Sequence, residues 1–437
     1  MTNKIAQYFK FDELGTNFRT ETLAGLTTFI SMVYILFVNP SVLGDSGMDK
    51  GAVFTATALA SAFGCFVMGI VARYPIALSS SLGINAFFSY SVVIGMGFPW
   101  QTALAGVFVA SILFIILTAF KLREKIVDAI PRDLKMAIAA GIGLFIAFIG
   151  LSEGGLVVAN KSNIIGLGPL NVGTTWLTIV GLILTLVLMS AKVPGAIFIG
   201  MVGTTIVGMF THLIAVPSHI VSGVPSLKPT FMQAFYHVTD INSLQLVVVV
   251  LTFLLVTFFD TTGTLVGLAE QAGLVKDNKI PRIGKALAAD SSTMVVGSLL
   301  GTSPMGAFVE SSAGIAVGGR TGFTAIITGC LFILGMFFSP LLAVVSSQVT
   351  APALIIVGIL MAQSMSGIDW KKFEIAAPAF LIIIGMPLTY SISDGIALGF
   401  ITYPLTMIAA KRGKQVGPMM YGLAVVFIIF LWILNTK

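Results

Sequence analysis

Two acidic side chains sit where acids are expensive. Asp260 lies inside the run LLVTFFDTTGTLVGL and Glu310 inside GAFVESSAGIAV, while nearly all the other 16 of the 18 Asp and Glu residues fall in loops or at the ends of apolar runs. A carboxyl at the centre of a membrane span costs about 2.5–3.5 kcal/mol on insertion scales and marks a ligand or proton pathway by default. Neither acid has a Lys or Arg at matching depth in its segment. The bland alternative, a neutral acid pinned to neighbouring backbone in a broken helix, has roughly one chance in four for either residue. An ionised carboxylate receives two parallel N–H donors, so the expected ligand is small, neutral and rich in adjacent N–H groups, as a nucleobase is. Phe87, Phe88, Phe258, Phe259 and Phe308 flank the same segments and could stack on a flat ring. With 33 Phe in the chain, no single one is decisive. Burial favours the protonated acid and a bound ligand changes that balance. Glu310, or Asp260 with Glu310, is therefore expected to take up a proton with substrate and release it inside. Asn85, Thr261, Thr264, Ser303 and Ser311 form a second tier, for which interhelical hydrogen bonding is at least as good a reading.

The elements that must position these groups are membrane spans. The chain has 437 residues, 57% hydrophobic and 10% charged, with mean hydropathy +1.01, against about 25% charged in soluble domains. At about 20 apolar residues per span, the fold class is an all-α polytopic membrane protein of about 14 segments. They fall near 22–38, 51–72, 76–96, 99–120, 134–152, 174–190, 194–213, 243–268, 283–300, 303–318, 322–345, 352–366, 374–389 and 391–409. A further run, 418–435, reads either as a fifteenth span or as a helix packed on the others.

With a cytoplasmic N-terminus, every Lys and Arg of the 24 falls inside except Lys50, Lys161, Lys228 and Lys437, as the positive-inside rule requires. The net charge of +6 is thus a topology signal and implies no nucleic acid. No cleavable signal peptide is evident at the N-terminus, and the buried-looking Cys65 and Cys330 make no disulfide framework. Nucleophile–base pairs and metal-ligand spacings are missing at membrane depth, so no enzyme and no cofactor is expected beyond a coupling ion, H⁺ by the reasoning above.

The polar stretch 214–242 divides the chain. Residues 1–213 and 243–437 each hold seven segments, an odd number, so the halves are expected to be inverted repeats about an extracellular connection. The best pointer to the site of such a protein is a pair of broken segments at matching places. The third segment of each half fits: YPIALSSSLGINAFFSYS (74–91) and GTSPMGAFVESSAGIAVGGRTG (301–322) carry Pro, Ser and Gly and few large apolar residues. Interrupted helices survive at that depth only where the freed backbone is buried in protein or lines a cavity. GGRTG is no phosphate loop, because no strand–loop–helix context accompanies it.

At these residues the chain resembles the AzgA-like purine permeases of the nucleobase–cation symporter-2 family. The matching stretches are FDELGTNFRTETLAGLTTFISMVYILFVNP, FTATALASAFGCFVMGI, LREKIVDAIPRDLKMAIAAGIGLFIAFIGL, FFDTTGTLVGLAEQAGL and VESSAGIAVGGRTGFTAI. The resemblance implies core and gate domains and elevator-type proton symport. It also implies a homodimer in the plasma (inner) membrane, with a purine held between the third and tenth segments by Asn85, Asp260 and Glu310. SSSLGIN (79–85), Thr257 and TSP (302–304) depart from the common pattern, which leaves adenine beside hypoxanthine and guanine. Xanthine, urate or uracil symport, and an anion channel or exchanger on the same architecture, are the alternatives. The last should offer its ligand a cation and helix N-termini rather than acids.

Overall fold

The computed structural model describes all residues except 1, 121–129, 161–162, 218, 242–243, 275–279 and 436–437. The side chains of 2–3, 244–245, 258–260, 262–263, 266 and 433–435 also lie outside the description. The chain is helical almost throughout. Two short helices, α1 (Thr2–Phe9) and α2 (Phe11–Leu14), precede the first segment, α3 (Phe18–Met32) and α4 (Ile35–Asp45), joined through Val33 and Tyr34, which keep helical backbone. Then come α5 (Lys50–Val67), which runs on as a π-helix to Ala72, the strand β1 (Leu78–Ser80), α6 (Leu82–Ala86) with a π-helical extension to Gly95, and α7 (Trp100–Ala119). The first half closes with α8 (Arg132–Glu153), a hairpin of β2 (Val157–Asn160) and β3 (Ile164–Leu167), α9 (Gly173–Ser190) and α10 (Ala196–Phe210).

After the short α11 (Gln233–Tyr236), the second half repeats the pattern. Its elements are α12 (Leu244–Gln271), α13 (Ile283–Leu300), strand β4 (Met305–Ala307) with α14 (Ser311–Val317), α15 (Gly322–Gly335), α16 (Ser347–Ala362), α17 (Phe373–Thr389) and α18 (Ile392–Ala409). Each expected segment falls on these elements, the first on α3 with α4 and the third and tenth on a strand with a short helix. Among the described residues, eight helices are long and apolar enough to cross a bilayer, and five further apolar helices are shorter. α13 is less apolar than these, because it carries Lys285 and Asp290 among small residues, and it packs against α5 and α7. The run 418–435 is α19 (Pro418–Asn435), which lies on α18 and α12 and turns Val425, Ile428 and Trp432 outward.

The helices sort into two packed groups. In one, α14 and α15 lie on α3, α15 and α13 on α5, and α12 and α13 on α7. In the other, α16 and α17 lie on α8, α9 joins α10 and α16, and α17 pairs with α18. Small residues permit the tightest crossing of the second group, as expected where lipid supplies no hydrophobic drive between helices. At Gly143 a methyl would sit 2.8 Å from the Gly358 carbonyl oxygen, and at Gly358 one would sit 2.5 Å from that of Gly143. Apolar side chains such as Phe210, Leu388 and Leu405 cover the exterior. This is a polytopic helical membrane body with two helix groups, core and gate.

Candidate functional site

The two broken segments meet. β1 and β4 pair antiparallel with Leu78 opposite Ala307, Ser79 opposite Gly306 and Ser80 opposite Met305, and all six residues are buried. The ladder continues at both ends: Phe308 N–H donates to the Ala77 carbonyl at 3.0 Å and Ser81 N–H to the Pro304 carbonyl at 3.0 Å. Ala77 N–H also donates to Ser311 Oγ at 3.0 Å. Extended backbone at membrane depth must be satisfied by protein, and here each half satisfies the other. The Ser, Gly and Pro of both stretches explain the conformation, since Pro304 has no N–H and the small side chains let the strands approach.

Each strand feeds a short helix. Glu310 stands at the turn into α14, half-buried, and its Oε1 accepts a hydrogen bond of 2.5 Å from the hydroxyl of Tyr34. Tyr34 is fully buried at the junction of α3 and α4, and its ring lies 6.5 Å from that of Phe308, tilted by 49°. Val309 between them is 53% exposed. Phe308, Glu310 and Tyr34 thus form one cluster, in which both rings are buried, the acid is half-buried and the neighbouring Val309 is exposed. Close packing holds it in place. A methyl at Gly314 would sit 2.0 Å from Thr28 Oγ1 and 2.5 Å from the Ala24 carbonyl oxygen, so α14 rests directly on α3.

Asn85 and Ser303 lie behind this patch in a buried polar knot. Asn85 Nδ2 donates to Asn39 Oδ1 at 2.6 Å, and its Oδ1 accepts from the hydroxyls of Ser303 and, at 3.3 Å, Ser80. Asn39 Nδ2 in turn donates to Thr57 Oγ1 at 2.7 Å and Thr302 Oγ1 at 2.8 Å. Asn39, Asn85 and Ser303 have no exposed surface. In this arrangement both functional atoms of the Asn85 amide are engaged by protein, and the knot ties α4, α5, α6 and the β4 approach together.

Phe87 packs edge-on against Phe253 of α12 at 4.9 Å and is fully buried. Thr261 is buried and its hydroxyl has no hydrogen-bond partner among the described residues; Thr257, one turn earlier, is the same. Buried helical threonines usually bond the carbonyl four residues back, as Thr252 does to Val248 at 2.9 Å. Thr264 is half-buried. The side chain of Asp260, like those of Phe258 and Phe259, lies outside the described residues; α12 as a whole packs against β4 and α14. The structure therefore brings Glu310, Phe308 and Ser311 to one junction and sets Asn85 and Ser303 in the adjoining knot. Its relation to Asp260 rests on the helix alone.

Sequence reading passed over Tyr34, Asn39 and Glu21. The signals were present: Asn39-Pro40 interrupts an apolar run, and Pro in a helix interior removes a backbone bond. Glu21 looked like an interfacial acid yet is fully buried. It accepts from Thr16 Oγ1 (2.9 Å), Arg320 N–H (3.0 Å), Thr321 N–H (3.3 Å) and Oγ1 (2.8 Å), and Thr324 N–H (3.3 Å) and Oγ1 (2.6 Å). The GGRTG turn is thus the seat of a carboxylate from the other half of the chain.

A family model described as "Permease family" (Xan_ur_permease) matches residues 19–398. The chain belongs to this permease family. Among its relatives, the guanine/hypoxanthine permease PbuG of Bacillus subtilis is 56% identical over 432 residues, covering 97% of this chain and 98% of that protein. The adenine permease AdeP of Escherichia coli is 41% identical over 428 residues, covering 97% and 95%. The transmembrane domain of the cyanobacterial bicarbonate transporter BicA superposes with TM-score 0.62 at 17% identity, covering 90% of this chain and 97% of that one. SLC26A9 does so with TM-score 0.63 at 12% identity, covering 90% and 65%. These two show that the permease shares their fold. It is a membrane permease and not an enzyme.

Proposed function

We propose that this permease imports purine nucleobases together with protons across the plasma membrane, as a homodimer with its N-terminus in the cytoplasm. Guanine and hypoxanthine come first because the 56% identical relative carries those names, and adenine second because of the 41% identical one. The observation that carries the reading is the junction at Glu310, where a half-buried acid, an aromatic ring and an exposed edge meet at the crossing of the two broken segments. A purine would lie on Phe308 with its polar edge toward Glu310, and Asp260 on α12 would complete the grip. Glu310 and Asp260 carry the coupled proton, exchanging it as the patch turns from one side of the bilayer to the other. The helix group bearing the junction moves as an elevator against the group built on α8 and α16.

An anion exchanger is the rival that the fold of BicA and SLC26A9 invites, but an acid at the junction repels an anion. Purified protein in liposomes, given an inward proton gradient, should accumulate labelled guanine, hypoxanthine or adenine. Collapse of the gradient with a protonophore should abolish the accumulation. Uptake of bicarbonate or chloride in place of any purine would overturn the proposal, and purine uptake indifferent to the gradient would overturn its proton half.

A further inference from the structure

We infer that Asp45, Tyr90, Glu153 and Tyr390 form a latch that holds the two helix groups together at one face of the membrane, the outward face with the N-terminus placed as proposed above. The inference rests on the proposed function and deepens it, since movement of one group past the other must open this contact. The residues come from the ends of the first, third, fifth and thirteenth segments, all odd-numbered, so these ends emerge on the same face. Asp45 closes α4, Tyr90 lies in the π-helical extension of α6, Glu153 closes α8 and Tyr390 follows α17. α4 lies chiefly on α5, and the α6 extension lies on α7 and α4, so Asp45 and Tyr90 belong to the group that bears the junction. Glu153 and Tyr390 belong to the group built on α8 and α16.

Hydrogen bonds bridge the groups here. The Tyr90 hydroxyl, 6% exposed with its residue, donates to Asp45 Oδ2 at 2.8 Å and also meets Glu153 Oε1. The next residue, Ser91, donates its hydroxyl to the Tyr390 carbonyl at 3.2 Å, and the Tyr390 ring stands edge-on to that of Tyr90 at 6.1 Å. Tyr390 is set for this contact. Its φ of 56° is a left-handed conformation that a bulky residue seldom adopts, and Phe145 and Phe148 of α8 hold its ring edge-on at 5.5 and 6.0 Å. A π-helical run is rare and concentrates at functional sites, and this one carries both Tyr90 and Ser91 against the opposite group. One phenolic hydrogen faces two carboxylates, which makes the latch reversible. When the groups part, Tyr90 keeps Asp45, a partner on its own group, and the half-buried Glu153 passes to water. Opening does not strand the phenol, so its cost stays low.

The test follows Ser91→Cys, at a position only 2% exposed beside the latch, in a chain also carrying Cys330→Ser to remove the exposed native thiol. Intact cells expressing it are treated with a membrane-impermeant maleimide. The buried thiol reacts when the groups separate, so its labelling rate follows the open fraction. Tyr90→Phe removes a hydrogen bond to a charged acceptor and should raise the rate about tenfold; Glu153→Gln should raise it too, and carries the test if Tyr90→Phe yields no folded protein. Asp45→Asn leaves Glu153 as the one charged partner of Tyr90 and should lower the rate, whereas mere loosening of the structure would raise it. Rates unmoved by both Tyr90→Phe and Glu153→Gln, or raised by Asp45→Asn as well, would overturn the latch. Labelling confined to inside-out vesicles would overturn its outward placement. In a second arm, oxidation of the Ser91→Cys, Tyr390→Cys pair should stop purine uptake and dithiothreitol should restore it; uptake that continues across the disulfide would overturn the need for the latch to open. Absence of purine uptake by the unaltered protein would overturn the proposed function, while the labelling rates still decide the latch.

Discussion

Replacing Glu21 by Gln changes one atom and should measurably destabilise the fold. Six donors face the Glu21 carboxylate, three of them backbone N–H groups that cannot turn away. A glutamine must place its NH₂ at one of the two oxygen positions. At Oε2 it would meet the N–H groups of both Thr321 and Thr324; at Oε1 it would meet only that of Arg320, while the Thr16 hydroxyl can rotate to accept. The second orientation is the cheaper, and it strands one buried N–H at about 1–3 kcal/mol. Loss of the negative charge at the start of α15 adds about 0.3–1 kcal/mol. The sum is about 1–4 kcal/mol. Equilibrium unfolding in detergent micelles by rising SDS mole fraction should register it, and Thr16→Val, which removes one half-buried donor, should cost less than about 1 kcal/mol. A Glu21→Gln protein within about 0.5 kcal/mol of the parent, or a Thr16→Val protein that loses as much as it does, would show that the turn is not held by this carboxylate.

Glu310→Gln should abolish proton-driven purine uptake and Asp260→Asn should reduce it severely, with both proteins still eluting as folded species; normal uptake by both would remove the site from this junction. Gly314→Val should displace α14 from α3, because its branched side chain needs space that the Ala24 carbonyl and Thr28 hydroxyl fill; unchanged melting and uptake would contradict that packing. Asn39→Ala breaks three bonds of 2.6–2.8 Å. At about 0.6 kcal/mol per interhelical bond it should lose roughly 2 kcal/mol in the SDS assay, more if the vacated space stays empty.

Segment positions were legible because twenty-residue apolar runs are forced by bilayer thickness, and the broken pair was legible because Pro, Ser and Gly cannot make an ordinary span. The acid at Glu310 announced itself by its cost. What escaped was everything set by long-range pairing. The antiparallel match of Leu78 to Ala307 spans about half the chain, and nothing near either strand specifies the other. Asn85 reads on paper as a group free to meet a ligand, whereas its partners Asn39 and Ser303 come from elsewhere in the sequence. Tyr34 was one aromatic among many until packing of the first segment against the second half brought its hydroxyl to Glu310. The β2–β3 hairpin lies in a stretch too short and too mixed to betray a period.

The β1–β4 ladder makes the two halves of the chain mutually dependent. Produced as two polypeptides, each half would carry a row of amide groups into lipid with nothing to pair them, at a cost of several kilocalories for every group left open. Co-expressed fragments would therefore have to find each other during insertion, since neither half can complete its own ladder.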